Sequence, residues 1–115
     1  MIKTYNGSKL NITSSHKRSL MRNLANSFFL HETIITTLTR AKELSRYSEK
    51  LITKAKEKNL KTIRNINTKV NKNSCKKLFD ILGPRYKKRN GGYTKILKFK
   101  KRHGDNAELV VLKLL

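Results

Sequence analysis

The chain has 115 residues, a length that suggests one domain. It carries 28 Lys and Arg against 7 Asp and Glu, a formal net charge of +21, which opposes compaction by self-repulsion and attracts polyanions such as nucleic acid or an anionic membrane surface. Hydrophobic residues at 37% suffice for a small core and exclude a wholly disordered tail, while a single cysteine, Cys75, excludes an internal disulfide framework and argues against a cysteine-based zinc site.

Residues 1–13 are polar and aperiodic, with Lys3, Asn6, Gly7, Ser8, Lys9 and Asn11, and read as a basic arm without its own core. They lack the apolar centre of a signal peptide. Thr13-Ser14-Ser15 offers hydroxyls that can cap a helix. Leu20, Leu24 and Phe28 follow at steps of four, with Met21, Ala25 and Phe29 beside them, which predicts an amphipathic helix over 15–31. His16, Lys17, Arg18 and Arg22 crowd its first half. Positive charge there opposes the helix macrodipole unless an anion compensates, so these cations are candidate anion ligands.

The largely β-branched run over 33–38 predicts a short strand. Thr39 is placed to cap a second helix from Arg40 to about Lys58, with Leu44, Tyr47, Leu51, Ile52 and Ala55 inward. Lys42, Arg46, Lys50, Lys54 and Lys56 fall on or near its exposed faces, tempered by Glu43, Glu49 and Glu57. A third helix is predicted over 60–70. A fourth starts near Asn73, with Cys75, Leu78, Phe79 and Leu82 inward, and ends at Gly83. There a left-handed glycine followed by Pro84 would stop it.

Then comes a basic loop with Tyr86 and Tyr93 at its ends. Arg85, Lys87, Lys88 and Arg89 are expected to project from a turn in which Gly91-Gly92 leaves the backbone bare to a phosphate. Residues 93–100 predict a strand with Leu97 and Phe99 on one face. A turn over 101–106 leads to a last strand over 107–114. These two form a hairpin, and 34–38 is the obvious third strand, since two alone are marginal in water.

Catalytic chemistry has little to draw on. The three histidines, His16, His31 and His103, have no metal-ligand spacing to a second His or Cys. The best acid–base pair is His103 with Asp105, although a charged turn explains that stretch better. Gly91-Gly92 lacks the lysine, hydroxyl and following helix of a phosphate-binding loop. Cys75 lies on an inward stripe, as a small buried hydrophobe does. The longest apolar runs, such as 109–112, fall far short of the roughly 20 residues a spanning helix needs.

Nucleic-acid binding has more behind it. Basic residues are dispersed over the arm, the first two helices and both late loops, which suits a surface wrapped by nucleic acid. Tyr5, Tyr86 and Tyr93 flank basic stretches, where exposed rings would stack on unpaired bases. Tyr93 reads equally well as a strand residue packed on its neighbour.

Several separated motifs resemble the bacterial large-subunit ribosomal protein L17 family. They are Lys9-Leu10-Asn11 with Thr13-Ser14-Ser15-His16-Lys17-Arg18, then Arg22-Asn23-Leu24-Ala25, then Ile35-Thr36-Thr37-Leu38 leading into Arg40-Ala41-Lys42-Glu43-Leu44. Leu82-Gly83-Pro84-Arg85-Tyr86, the run from Gly91 to Lys98, and Gly104-Asp105-Asn106-Ala107 complete the set. The resemblance covers nearly the whole chain, although Met1 to Asn6 is poorer in arginine and histidine than the family arm and residues 59–73 match only loosely.

The resemblance implies an α+β fold: a two-layer α/β domain in the order helix, strand, three helices, two strands, over residues 14–115 behind an arm over 1–13. It implies a non-catalytic structural protein of the large ribosomal subunit near the polypeptide exit. Its partners would be large-subunit ribosomal RNA and neighbouring ribosomal proteins, with no cofactor, metal, membrane or small-molecule substrate. The setting would be the cytoplasm, which the absence of a targeting extension favours, although the family also serves organellar ribosomes.

With the residues themselves, it singles out Lys9, Asn11, Ser14, Ser15, His16, Lys17, Arg18 and Arg22 as RNA contacts of the arm and first helix. Thr36, Thr37 and Lys42 would contribute at the strand-to-helix junction, and Arg85, Tyr86, Lys88, Arg89, Gly91, Gly92 and Lys95 in the central loop. The rivals are a basic RNA-processing enzyme using His103 and Asp105, and a membrane-surface protein using the first helix.

Overall fold

A computed structural model of the protein describes residues 10–115. The expectations for Tyr5 and Lys9 lie outside the described residues. In chain order the elements are α1 (Ser14–His31), β1 (Thr33–Thr37), α2 (Leu38–Ala55), α3 (Leu60–Asn67), α4 (Lys72–Lys77), α5 (Gly83–Arg85), β2 (Thr94–Lys101) and β3 (Glu108–Leu114). A π-helical turn, Leu78–Leu82, joins α4 to α5, so the three pieces run on as one irregular helix. The order is the expected α+β one.

α1 starts where Thr13 accepts a hydrogen bond from the His16 amide at 3.3 Å. Its buried face is Met21, Ala25, Phe28 and Phe29, with Leu24 packed beside them. It ends at Glu32, a non-glycine residue in the left-handed region at φ 63°. The chain then turns directly into β1.

α2 begins earlier than expected. β1 stops at Thr37, and Thr39 lies already inside the helix rather than capping it. The side chain of Leu38 packs against the core, which fixes the strand-to-helix switch one residue after the β-branched run. α2 ends at Ala55, and α3 starts with a reciprocal cap in which Asn59 and Thr62 bond each other's amides. α3 is shorter than its periodicity suggests, yet Val70 beyond its end is still buried.

Gly83 corrects the expected helix stop. Its φ is −55°, so it is right-handed and helical, and its amide bonds the Leu78 carbonyl five residues back. The helix runs through Gly83-Pro84 and releases at Tyr86. Glycine is required here for closeness: a Cβ would sit 2.9 Å from the Ala55 carbonyl oxygen of α2 and 3.1 Å from that of Leu78.

The strands form one antiparallel sheet in the order β1-β3-β2, with the β2–β3 hairpin and β1 as third strand, as expected. β3 is central, and its Val110, Leu112 and Leu114 are buried. Leu112 pairs with both Ile34 and Ile96, which aligns the inward row across the strands and packs it against the helices. The period of two then sends Ile35, Leu97 and Phe99 to the open side, where all three are exposed. A bulge between Lys98 and Lys100 interrupts the β2–β3 ladder at Phe99.

Gly83→Ala is the substitution the packing tolerates least for its size. Helix propensity alone would favour alanine by about 1 kcal/mol. The new methyl would instead press on two backbone carbonyls, and overpacking typically costs about 1–3 kcal/mol. The expected outcome is a lower Tm, measured by thermal unfolding, with α2 and α5 moved apart.

Candidate nucleic-acid interface

No helix of the described residues has an acidic side chain in its first turn except the π-helical turn, which carries Asp80. The orphan amides of α1 therefore meet cations rather than carboxylates of their own helix. The groups collected around that end are Asn11, His16, Thr37, Thr39 and Arg40, which with Leu10, Ile12 and Leu20 line an open concavity of about 470 Å³. Asn11, His16 and Thr37, expected from sequence to act at one surface, are thus brought together. Leu10 and Asn11 both hold left-handed backbone, at φ 57° and 55°.

On the other flank of α1, Ser14, Lys17 and Arg18 meet Arg46, Tyr47 and Lys50 of α2 around a second concavity of about 350 Å³. Lys17 is ion-paired there with Glu43 at 3.2 Å, which also receives Arg46 at 3.4 Å. A third concavity of about 480 Å³ continues along α2, with Arg46, Lys50 and Lys54 facing Gly91 and Tyr93 of the central loop. Arg46, Lys50 and Lys54 recur every four residues and so form one stripe. This stripe joins the α1 end to the glycine pair. Arg40, Arg46, Lys50 and Lys54 were absent from the expected contacts, although their spacing was visible.

The remaining expected contacts divide. Ser15, Arg18, Arg22 and Lys42 are exposed, and Arg22 also ties α1 to the end of α3 by donating to the Thr68 carbonyl at 3.2 Å. Thr36 is half-buried and pairs with Val110. Lys88 is exposed in the central loop and Lys95 on the open side of β2. Arg89 is exposed but donates to the Gly92 carbonyl at 3.0 Å, which closes the turn. Gly91 and Gly92 have φ of 92° and 63°, with open space where a Cβ would be. They are glycines because the turn is left-handed, and nothing among the described residues crowds them.

Two expectations need correction. Arg85 does not project into solvent alone: its guanidinium is bound to Glu32, which Lys77 also reaches at 3.4 Å. Glu32 caps the C-terminal end of α1, about 27 Å from its start at 1.5 Å per residue. Arg85 is therefore remote from the cations of the first turn. Tyr86 is not a stacking platform, because the helix carried through Pro84 turns its ring inward to 3% exposure. Its hydroxyl donates to the Leu115 carbonyl at 2.5 Å, and its ring lies 5.1 Å from that of Tyr93. Tyr93 is buried too, as the strand reading had it, with the Lys56 ammonium 4.7 Å from its ring centre. Burial pushes the Tyr93 phenol up, but hydrogen bonds and the Lys56 charge outweigh it and hold the group below its ordinary value.

The acid–base alternative fails at Asp105, its proposed base. The side chain of Asp105 is clamped by Arg102 at 2.6 Å and receives the Ala107 amide at 3.1 Å, and these hold its carboxyl down at about 2. So acidic a group stays ionised through the neutral range and serves the hairpin turn instead. No group of three or more His, Cys, Asp or Glu is placed to hold a metal ion among the described residues. No helix of the described residues is long and apolar enough to cross a membrane.

Comparison with known proteins gives a consistent result. A family model described as Ribosomal protein L17 matches residues 20–115. A protein of Endomicrobium trichonymphae named Large ribosomal subunit protein bL17 is 60% identical over 116 residues, covering 100% of this chain and 99% of that protein. Proteins of the same name from Rickettsia bellii and Maricaulis maris are each 49% identical. The first covers 95% of this chain and 78% of the relative, the second 93% and 77%.

The Glu32 clamp has a pH signature. Hydrogen bonding from Arg85, then the charges of Arg85 and Lys77, outweigh desolvation and lower its pKa from 4.5. A depressed folded value stabilises the fold above the unfolded value and loses that contribution as pH falls through the folded one. Glu32→Gln should therefore lower Tm at pH 7, and the gap to the parent protein should narrow progressively as pH falls below 4.5. Thermal unfolding from pH 7 down to pH 3 checks this.

Proposed function

Because the chain belongs to the ribosomal protein L17 family, a family of structural proteins of the large ribosomal subunit and not enzymes, we propose that ribosomal RNA holds it through one continuous basic band. The band starts at the first turn of α1, follows the outer stripe of α2 and ends at the Gly91-Gly92 turn. The observation that carries this reading is that stripe. Arg46, Lys50 and Lys54 link two concavities whose other walls are Ser14, Lys17 and Arg18 at one end and Gly91 at the other.

Each part has a separate physical task. Asn11, Ser14, Ser15, His16, Arg18 and the N-terminal end of the α1 dipole take phosphate oxygens, so the anion supplies the negative charge that the helix start lacks. Lys50 and Lys54 follow the backbone as point charges. The bare turn at Gly91 and Gly92 lets a sugar–phosphate chain approach closely, with Lys88 beside it. Arg22, Thr36, Thr37, Lys42 and Lys95 are outlying contacts, while Arg85 is engaged by Glu32 at the far end of α1 and Tyr86 is buried in the core. Contacts of this kind fix register and orientation and read no sequence directly.

The partners in this reading are large-subunit ribosomal RNA and the ribosomal proteins beside it. The setting is the large subunit of the ribosome near the polypeptide exit, as the family resemblance implies. Against the RNA-processing alternative stands Asp105, whose carboxylate is held by Arg102 and the Ala107 amide and is a poor base.

Salt dependence tests the band. Each neutralised phosphate contributes a slope of roughly −0.7 to −0.9 in log affinity against log salt. Lys50→Gln with Lys54→Gln should weaken binding to purified large-subunit ribosomal RNA and make that slope shallower by about 1.4 to 1.8. Lys72→Gln with Lys76→Gln, exposed on α4 away from the band, should leave it near the parent value. Filter binding across a salt series measures both, and equal losses from the two pairs would refute a localised band.

A further inference from the structure

We propose that the β2 bulge presents Phe99 as a stacking platform for one unpaired nucleotide of the RNA, a site separate from the α2 band. The inference rests on the RNA-binding reading above. It begins from an exchange of roles: the two tyrosines that the sequence offered for stacking, Tyr86 and Tyr93, are buried against each other. Among the described residues, Phe99 is the one aromatic side chain exposed, at 50%.

Its setting is not that of a stray hydrophobe. The bulge removes Phe99 from the paired ladder, with Lys98 opposite Val110 and Lys100 opposite Leu109 on either side. Bulges re-aim a side chain and are favoured at binding edges. The Lys100 ammonium lies 5.4 Å from the centre of the ring. A shallow groove is lined by Phe99 with Lys98, Lys100, Lys101, Glu108 and Leu109, so three ammonium groups outnumber one carboxylate. A ring framed by cations is what a single-stranded nucleic acid requires: the base stacks on the ring and its flanking phosphates meet the lysines.

Charge decides against the other occupants. A second copy of the chain would set these lysines against one another. A protein partner would have to cover a lysine-rich patch, and lysine is depleted where proteins meet. A fully paired RNA helix offers no free base face to the ring.

The chain has no tryptophan, so Phe99→Trp introduces a single reporter at the site. Its emission should be quenched on adding purified large-subunit ribosomal RNA and should not respond to a blunt RNA duplex. Phe99→Ala should reduce affinity for the ribosomal RNA roughly 5- to 150-fold, the range that base stacking supports, with the salt slope unchanged because no charge is lost. Thermal unfolding of both variants verifies that the hairpin persists, and Phe99→Tyr should retain the parent affinity even if Phe99→Ala proves unstable.

If the ribosomal RNA binds with its full salt dependence but leaves the reporter silent, the stacking site is wrong and the α2 band stands. If emission instead shifts only when the other large-subunit proteins are added, the ring is seated in a protein pocket and the inference is equally overturned. If the ribosomal RNA does not bind the parent protein, both readings fall together.

Discussion

Self-repulsion is the constraint under which this fold is built. With 28 basic side chains and 7 acidic ones, carboxylates are scarce, and their placement is correspondingly informative. Glu43 fastens α1 to α2 through Lys17. Glu32 fastens the end of α1 to the irregular helix through Lys77 and Arg85. Glu49 accepts from Thr94 and so joins α2 to β2, while Asp105 closes the hairpin on Arg102. These four carboxylates sit where two elements meet. Exposed pairs of this kind contribute little individually. Their effect here is to cancel repulsion at the junctions, so that only Glu57, Asp80 and Glu108 remain on outer faces that are otherwise positive.

The order of elements was legible because apolar spacing survives the charge. Leu44, Leu51, Ile52 and Ala55 define the buried side of α2, and alternation in β3 places Val110, Leu112 and Leu114 inward. Boundaries and local conformation were less legible. The Gly83-Pro84 pair resembles a helix terminus by local preference, yet the close approach of Ala55 requires a glycine in right-handed helical conformation. Proline is tolerated beside it because it occupies the first turn of the last helical segment. The short-range signal was real, but a contact between residues 28 positions apart overrode it.

The candidate interface was legible as a composition and only partly as a place. Asn11, His16 and Thr37 do share a concavity, because the start of α1 and the start of α2 come together once β1 has paired with β3. Tyr86 and Arg85 were misjudged for the same reason as Gly83. A helix that continues three residues further rotates the ring into the core and carries the guanidinium to Glu32. Arg46, Lys50 and Lys54 were visible at steps of four but ranked below the glycine loop. A stripe on a helix becomes a site only when other elements form its walls, and sequence spacing does not show those walls.

The two faces of α2 then link folding to binding. Its inner face supplies Leu44, Ser48, Leu51 and Ile52 to the core, and Ser48 satisfies its buried hydroxyl by donating to the Leu44 carbonyl at 2.6 Å. Its outer face concentrates positive charge that Glu43, paired with Lys17 and Arg46, and Glu49, bonded by Thr94, offset only in part. Bringing the helix to the core therefore brings like charges together, at a cost that falls when a polyanion lies along the stripe. A ligand that binds only the folded state adds its binding free energy to stability. The same lysines that repel one another in the isolated domain are those that RNA would turn into a stabilising contact.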